Sequence, residues 1–404
     1  MHRRVDQLLA EKSVTVIDVA IIGAGIHGAG VALSAAAAGY SVHLFEQFDS
    51  PAQGTSSRSS KLIHGGLRYL AGGQFALVRE CLRERRILLH NAPDLVRLVS
   101  FYIPIYKHSR YQPIWVAAGL SFYALLGGLR AETRFAWVPR KEWNTLDGLN
   151  GQQLSAVFRY FDAQTDDALL TRAVLTSATN LGAEIHFASK VSSIQLKPSA
   201  CAIHFESQGR SQSCQARVAI NATGPWVNRL LQRVEPQTRQ LSVDLIQGTH
   251  IVVPGALSTG VYYVEAPSDK RPVFIMPWRG HTLIGTTEKR FEGDPAFVQP
   301  TAEEVSYLLA TLAHYFPQRA CLEADILEAF AGLRCLPITR GPLSARSRET
   351  VLLTDQKQRP RLLSVYGGKL TAFRATAEAV LTRIQPNLPQ RKRIADTRQI
   401  CIGH

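Results

Sequence analysis

The sequence predicts an α/β fold in which a domain built on a parallel sheet is interrupted by an α+β domain with an antiparallel sheet. The chain opens with an apolar strand at residues 16–22, a glycine turn, an Ala-rich helix and a second strand at residues 41–45, which together form a βαβ unit. Apolar strands at residues 218–222 and 362–366 also run into glycines. Between them, residues 243–287 contain several alternating strands, a pattern typical of an antiparallel sheet.

The order of these segments predicts where the domains lie. Parallel pieces stand at the start, middle and end of the 404-residue chain, and a chain of this length is expected to form two or three domains. We therefore predict one discontinuous domain, one inserted domain and a short basic tail. The predicted ranges are 1–80, 160–238 and 328–390 for the discontinuous domain, 81–159 and 239–327 for the inserted domain, and 391–404 for the tail.

The charge balance predicts an anionic partner. Lys and Arg number 46 against 32 Asp and Glu, which gives a formal net charge of +14. Such a surface attracts phosphorylated metabolites, nucleic acid or an anionic membrane leaflet, and charge alone does not choose among them. Nucleic acid is not expected as a partner, because no helix-turn-helix, RNP or zinc pattern is present.

Cysteine usage and hydropathy favour a cytoplasmic protein. The six cysteines form no CxxC pair and no histidine lies at zinc-ligand spacing, so neither a metal nor a disulfide framework is expected. Residues 1–12 lack the apolar core of a secretory signal, and no apolar run reaches the length of a membrane span. The apolar segment 113–128 is interpreted as a buried or cap-domain helix rather than a membrane-surface helix.

The first glycine turn has the features of a dinucleotide site. Gly23 allows a tight turn, Gly25 allows the backbone to approach a pyrophosphate, and Gly28 allows the helix to pack on the strands. The helix N-terminus offers N–H groups to phosphate oxygens. Glu46 ends the second strand, where a carboxylate accepts hydrogen bonds from ribose hydroxyls and repels a 2′-phosphate. The turn therefore predicts a dinucleotide other than NADP.

Two later segments favour FAD over NAD. Residues 55–61 supply hydroxyls and cations soon after the acid, and a flavin cofactor that stretches across the protein needs such a second cradle. Residues 221–226 form a strand that ends on a glycine, where the backbone can again approach phosphates. NAD enzymes usually continue with further βαβ units instead.

Eight motifs resemble those of the FAD-dependent glycerol-3-phosphate dehydrogenases, the aerobic, respiratory enzymes of that name. The run SSKLIHGGLRYL at residues 59–70 is the most specific, because wider relatives such as amino-acid oxidases keep the glycine turn without it. The family usually continues into a helical C-terminal domain, whereas this sequence stops at residue 404, so we expect that domain to be lacking. The motifs are IIGAGIHGAG (21–30), TSSRSSKLIHGGLRYL (55–70), NATGPW (221–226), GTHIVVP (248–254), IGTT (284–287), GDP (293–295), AGLR (331–334) and SVYGGKLT (364–371).

The resemblance implies the fold, the cofactor and its contacts. It implies a Rossmann-like FAD-binding domain of the glutathione-reductase type, within the amino-acid-oxidase-like superfamily, and an inserted substrate or cap domain. The expected FAD contacts are Gly23, Gly25, Gly28, Glu46, Thr55, Ser56, Ser60, Lys61, His64, Gly65, Gly66, Val191, Gly224, Gly367, Gly368, Lys369, Leu370 and Thr371.

The resemblance also implies a cationic substrate pocket. Arginine suits a phosphorylated substrate because its planar guanidinium binds phosphate with two parallel hydrogen bonds. His250 is the candidate proton acceptor, and Arg334 or Lys369 is expected to polarise the alcohol oxygen. The alignment of Arg348 requires a shift of one residue, which makes Arg346 the competing choice. The expected pocket residues are Arg68, Tyr69, His250, Arg334, Arg348 and Lys369.

These features lead to one main function and three alternatives. The main prediction is oxidation of sn-glycerol 3-phosphate to dihydroxyacetone phosphate by hydride transfer from C2 to flavin N5, with a quinone as electron acceptor. Peripheral contact with the cytoplasmic face of the inner membrane and a homodimer are also predicted. The alternatives are a related oxidoreductase of a 2-hydroxy acid or an amino acid, a flavin-binding module without turnover, and a nucleic-acid-binding protein.

Overall fold

The protein is described by a computed structural model over residues 16–338 and 349–403. Within these ranges the chain forms seven α-helices and nineteen β-strands. The helices are α1 (Ile26–Ala37), α2 (Phe75–Asn91), α3 (Pro113–Leu126), α4 (Asp167–Asn180), α5 (Val227–Leu231), α6 (Ala302–Tyr315) and α7 (Phe373–Ile384). The strands are β1 (Ile17–Ile22), β2 (Val42–Phe45), β3 (Leu62–Ile63), β4 (Val96–Tyr106), β5 (Ala136–Trp137), β6 (Leu154–Thr165), β7 (Glu184–His186), β8 (Ser189–Leu196), β9 (Cys201–Ser207), β10 (Arg210–Asn221), β11 (Val234–Glu235), β12 (Val243–Val253), β13 (Val261–Glu265), β14 (Pro272–Trp278), β15 (His281–Gly285), β16 (Lys289–Phe291), β17 (Glu328–Pro337), β18 (Val351–Thr354) and β19 (Leu362–Tyr366).

The first sheet confirms the predicted βαβ architecture. Its order is β11-β8-β9-β10-β1-β2-β7, and β19 also pairs with β10. Strands β19, β10, β1, β2 and β7 run parallel, whereas β8 and β9 extend the sheet by antiparallel pairing. Helices α1, α4 and α7 cover one face around a core that includes Val19, Ile21 and Leu44. The strand ends that carry the predicted glycine turns therefore meet at one edge.

The second sheet is mainly antiparallel, as predicted for the inserted domain. Its order is β16-β12-β15-β14-β13-β4-β6-β3, with β17 on β12 and β5 on β6. Successive residues of β14 belong to two different cores: Ile275 packs with α6, and Met276 packs in the core that α2 and α3 cover. This sheet includes β3, β17 and the end of β6, which the predicted ranges assigned to the discontinuous domain.

The helix predicted in the segment 113–128 is confirmed as α3, but this helix is less buried than the sequence predicts. Only Leu120, Tyr123 and Ala124 are buried, while Ile114 and Trp115 are 70% and 68% exposed. The apolar residues go round the whole helix, so one side packs on the second sheet and the other side remains in solvent. No helix within residues 16–338 and 349–403 is both long and apolar enough to cross a bilayer.

The C-terminal segment packs against the first domain. Arg391 lies 3.0 Å from the carboxylate of Asp18, and the backbone N–H groups of Ile394 and Ala395 donate to the carbonyl of Ala37. Ile402 is buried. The segment predicted as a basic tail is thus held by hydrogen bonds and burial along residues 391–402.

Candidate active site

The first glycine turn lies between β1 and α1 and depends on the absence of side chains. Gly23 has a φ of +104°, and a Cβ there would lie 2.8 Å from the carbonyl oxygen of Ala222. A Cβ at Gly28 would lie 1.8 Å from the carbonyl oxygen of Gly23. Gly25 has no side chain to cap α1, and although the N–H of Ile26 donates to the hydroxyl of Ser56 at 2.9 Å, the next N–H groups of the first turn face the same end of the helix, where an anion can bind.

Glu46 is fixed beside this turn. Its carboxylate accepts hydrogen bonds from the backbone N–H groups of Ala24, at 2.6 Å, and Phe48, at 3.0 Å. Burial raises the pKa of Glu46, and these backbone hydrogen bonds oppose that effect. Each carboxylate oxygen has a second lone pair, so the group can also accept hydrogen bonds from a ribose.

A large cavity of about 530 Å³ begins at this turn. It is lined by four parts of the chain that are far apart in sequence, within residues 22–69, 189–233, 294–296 and 333–371. The structure thereby brings together most of the predicted cofactor residues. Those lining the cavity are Gly23, Gly25, Glu46, Thr55, Ser56, Ser60, His64, Val191, Gly224, Gly367, Gly368, Lys369, Leu370 and Thr371.

The cavity has features that fit a bound flavin nucleotide. The Nδ1 atom of His27 is buried at the cavity wall without a partner. Burial lowers the pKa of His27 to about 4, so the imidazole is neutral at pH 7 and can donate or accept a hydrogen bond. A Cβ at Gly368 would lie 2.2 Å from the Nε2 of His27, so the glycine turn keeps this part of the wall open.

A second, smaller cavity of about 160 Å³ adjoins the first. The predicted substrate residues Arg68, Tyr69, His250 and Arg334 line it. The two cavities share six lining residues, so a molecule in the smaller one would lie directly against a ligand in the larger one. The shared residues are Thr55, Ser59, Ser60, His64, Tyr69 and Arg334.

Three cations converge where the cavities meet. The Nζ of Lys369 lies 3.7 Å from the ring centroid of Tyr69, and the guanidinium carbon of Arg68 lies 5.0 Å from the same centroid. Arg334 lines both cavities, and its guanidinium donates to the carbonyl of Thr287 at 2.9 Å. The junction is therefore suited to an anionic ligand.

His250 lies at the back of the small cavity. Its Nε2 is 2.9 Å from the hydroxyl of Ser60, and its ring stacks on Phe330 with centroids 5.1 Å apart. Burial lowers the pKa of His250 to about 3, with the charges of Lys61 and Arg334 contributing. The imidazole is thus neutral at pH 7.

Several predicted residues do not line either cavity. The backbone of Lys61 has a φ of +58°, and its amine lies 2.6 Å from the buried carboxylate of Asp167. Gly65 donates its N–H to the hydroxyl of Tyr123 at 3.0 Å. Lys61, Gly65 and Gly28 therefore lie behind the cavity walls, and their contact with a cofactor stays a prediction. Gly66 lines only the small cavity, and Arg346 and Arg348 lie outside the described residues.

Sequence reasoning missed other lining residues. Tyr263 lines the small cavity, and burial raises the pKa of its hydroxyl to about 12 although Arg68 opposes this. Trp226 and His27 line the large cavity. Tyr263 belongs to an ordinary alternating strand, so no local pattern marks it as part of a site. His27 lies inside the glycine motif, where attention to its polar side chain would have identified it.

Comparison with known proteins identifies the class. The family described as FAD dependent oxidoreductase matches residues 18–374, and the chain belongs to this family. Within it the chain groups with the glycerol-3-phosphate dehydrogenases. It is 40% identical to a glycerol-3-phosphate dehydrogenase of Pseudomonas aeruginosa over 378 residues, which cover 92% of this chain and 72% of the relative. The predicted family and FAD cofactor are confirmed.

Two further proteins are similar to this chain. The chain is 38% identical to a D-erythritol 1-phosphate dehydrogenase of Brucella abortus over 382 residues, which cover 92% of this chain and 74% of the relative. The crystal structure of a glycerol-3-phosphate dehydrogenase from Bacillus halodurans complexed with FAD matches with a TM-score of 0.73 at 28% identity. That match covers 96% of this chain and 68% of the other.

Proposed function

We propose that the protein oxidises sn-glycerol 3-phosphate to dihydroxyacetone phosphate and passes the electrons to a quinone. The observation that carries this proposal is the small cationic cavity, which opens onto the large cavity beside Arg68, Arg334 and Lys369. Three cations at this junction suit a phosphate dianion better than the single carboxylate of an amino acid or a hydroxy acid, which needs fewer cations. The similarity to the Pseudomonas aeruginosa dehydrogenase supports the same substrate.

The side chains of the small cavity have distinct roles in this proposal. FAD held by the large cavity would supply N5 as the acceptor for the C2 hydride of the alcohol. The guanidinium groups of Arg68 and Arg334 hold the phosphate, and the amine of Lys369 polarises the alcohol oxygen. His250 receives the hydroxyl proton. A phosphate dianion next to Arg334 offsets one of the charges that lower the pKa of His250, so substrate binding makes the imidazole a better base.

An anaerobic titration tests the substrate. Glycerol 3-phosphate should bleach the flavin absorbance of the purified protein, whereas unphosphorylated glycerol, 2-hydroxy acids and amino acids should not. Bleaching by a hydroxy acid or an amino acid alone would contradict the proposal. A flavin spectrum that no compound bleaches would indicate a binding module without turnover.

A second candidate substrate is D-erythritol 1-phosphate. The Brucella abortus relative bears that name at nearly the same identity as the Pseudomonas aeruginosa enzyme. Both compounds carry a phosphate on a polyol, so the same cations would hold either. The ratio of kcat/KM for the two compounds decides between them, and a higher value for erythritol 1-phosphate would replace the main candidate.

The substitution His250→Asn tests the proton acceptor. Loss of a general base typically slows the chemical step by roughly 100-fold or more, and we expect that effect on the rate of flavin reduction. Asparagine keeps a polar atom near Ser60, and FAD content reports whether the cavity is intact. The substitution His314→Asn, remote in α6, is the matched control. An unchanged reduction rate in His250→Asn would remove His250 from the mechanism.

The electron acceptor is tested by reoxidation. The reduced protein should be reoxidised rapidly by a soluble quinone under anaerobic conditions and slowly by oxygen. Rapid reoxidation by oxygen with release of hydrogen peroxide would identify an oxidase instead.

We infer that helix α3 of the protein contacts the cytoplasmic face of an anionic membrane. Ile114, Trp115 and Leu125 are exposed on this helix, and exposed apolar surface of this kind favours an interfacial position. A groove beside the end of α3 has cationic walls, which complement lipid phosphates. The exposed arginines lining that groove, beside Glu80 and Glu132, are Arg79, Arg83, Arg86 and Arg130.

Vesicle sedimentation tests this surface. The protein should sediment with vesicles containing phosphatidylglycerol and less with phosphatidylcholine alone, and salt should weaken binding. Trp115→Ser should reduce binding. Phe297→Ser, at an aromatic residue that is 78% exposed elsewhere, should not. Equal loss in both variants would contradict the assignment to α3.

The predicted homodimer stays a prediction, which light scattering of the purified protein checks.

A further inference from the structure

Three side chains with metal-binding atoms meet at the open edge of the first sheet, outside both cavities. His43 lies on β2, and Glu184 and His186 lie on the edge strand β7. The two strands pair in parallel, with His43 opposite Glu184 and Phe45 opposite His186. Residues two apart on a strand share a face, so the three side chains project from the same side of the sheet.

The distances between these side chains suit a small metal centre. One ligand atom from each residue lies within 4.8 Å of the others. The Nδ1 of His43 is hydrogen-bonded to the Nε2 of His186 at 2.9 Å, whereas the other ring nitrogen of His43, Nε2, lies 3.6 Å from a carboxylate oxygen of Glu184. Nitrogen ligands bind zinc at about 2.0–2.1 Å in tetrahedral sites, so a metal would replace the hydrogen bond between the two rings, and the Glu184 carboxylate would turn toward the nitrogen that binds the metal.

The surroundings hold two of the ligands and leave the third exposed. The ring of His186 stacks on Phe45 with centroids 4.9 Å apart and on His43 at 5.1 Å. The backbone carbonyl of His186 accepts a hydrogen bond from Glu46 at 2.9 Å. The Glu184 side chain is 67% exposed, so its carboxylate can turn toward a metal and water can occupy a fourth position.

We propose that His43, Glu184 and His186 form a transition-metal site suited to Zn²⁺ that fastens β7 to β2. Two imidazole nitrogens and one carboxylate oxygen match zinc, whereas magnesium and calcium prefer ligand sets made of oxygen alone. Local spacing in the sequence does not predict this site, since His43 and His186 are 143 residues apart in the chain. The sheet, rather than local spacing, brings them together.

Calorimetric titration of the FAD-loaded protein with ZnCl₂ tests the site. We expect one zinc per chain, and affinity lower by at least roughly 10-fold in both His186→Asn and Glu184→Gln. Glu184 is exposed, so its substitution tests the site even if His186→Asn folds poorly. His108→Asn is the matched control, because His108 pairs with His314 at a centroid distance of 6.0 Å outside this cluster. Its zinc affinity should equal that of the wild type.

Electron paramagnetic resonance of the Cu²⁺-loaded protein identifies the ligands. Coupling to two nitrogen nuclei that is lost in His43→Asn supports the proposal. The absence of zinc binding, equal affinity in all variants, or a copper spectrum with sulfur ligation would overturn it. Neither measurement depends on turnover, so the test of the metal site is independent of the proposed substrate.

Discussion

At the scale of single residues, burial decides the protonation of the site. His27 and His250 are both enclosed, and burial lowers their pKa values to about 4 and about 3. A neutral imidazole keeps one donor and one acceptor nitrogen, which suits contacts to a cofactor or a substrate hydroxyl. Their low pKa values also affect the stability of the protein in acid.

We predict that the protein loses stability between pH 7 and pH 5 because of these two histidines. Their folded pKa values lie below the ordinary 6.5, so the unfolded chain binds protons first as the pH falls. Each can cost on the order of 2 kcal/mol of unfolding free energy at pH 5. Urea unfolding at both pH values measures the loss, and His250→Asn should reduce it. An equal loss in that variant would contradict the explanation.

We predict a large loss of stability for Lys61→Met. The substitution leaves the carboxylate of Asp167 buried without its cation, and breaking a buried pair in this way costs about 3–5 kcal/mol. Lys289→Met is the matched control, since the Lys289–Glu303 pair is on the surface and its loss should change little. Thermal unfolding compares the two, and a similar Tm in both variants would contradict the prediction.

At the scale of elements, α2 shows that charged residues of a helix can lie in the interior of the protein. Glu84 and Arg85 of this helix are completely enclosed although both are charged. Glu84 accepts two hydrogen bonds from Arg374 of α7, both at 2.7 Å, and Arg85 pairs with Asp162 of β6. These pairs fix α2 between the two sheets, behind Lys369.

The late glycine turn before α7 gives a prediction at this scale. Gly368 has a φ of +103°, and a Cβ there would meet His27 at 2.2 Å, so Gly368→Ala should reduce FAD content strongly. Gly182→Ala is the control, because Gly182 has a φ of +94° with open space around it. The control should lose only about 1 kcal/mol of stability and keep FAD. Flavin absorbance per protein measures the difference, and full FAD content in Gly368→Ala would contradict the prediction.

At the scale of the whole molecule, the cofactor cavity joins parts of the chain that are remote in sequence. Its walls come from the turn after β1, the strands near Val191 and the turn after β19. A ligand that binds only the folded state stabilises it in proportion to the logarithm of its concentration. FAD should therefore act as a structural link as well as an oxidant.

We predict that removing FAD lowers the Tm and that adding FAD restores it in a concentration-dependent way. At a free concentration 100 times the Kd, the gain is about 2.7 kcal/mol. Calorimetry of the FAD-free protein with increasing FAD measures the effect, and NADP⁺ serves as the control ligand. A Tm that does not respond to FAD would show that the cavity walls are stable without it.

The sequence predicted the fold class and most cavity residues because those features depend on local constraints. Gly23, Glu46 and Gly368 stand at strand ends where backbone geometry restricts the residue type, and the motif around Arg68 is specific enough to name the family. The direction of the Lys61 side chain could not be predicted in this way, because it depends on Asp167, a partner 106 residues away.

The amino-acid sequence by itself determined the βαβ opening, the family and the FAD cofactor, because the motifs that indicate them are runs of neighbouring residues. Only the tertiary structure decided which cations meet at Tyr69, how far the pKa of His250 falls, that one side of α3 stays exposed, and that His43 and His186 lie side by side. Those properties depend on distance and burial, which neighbouring residues do not encode.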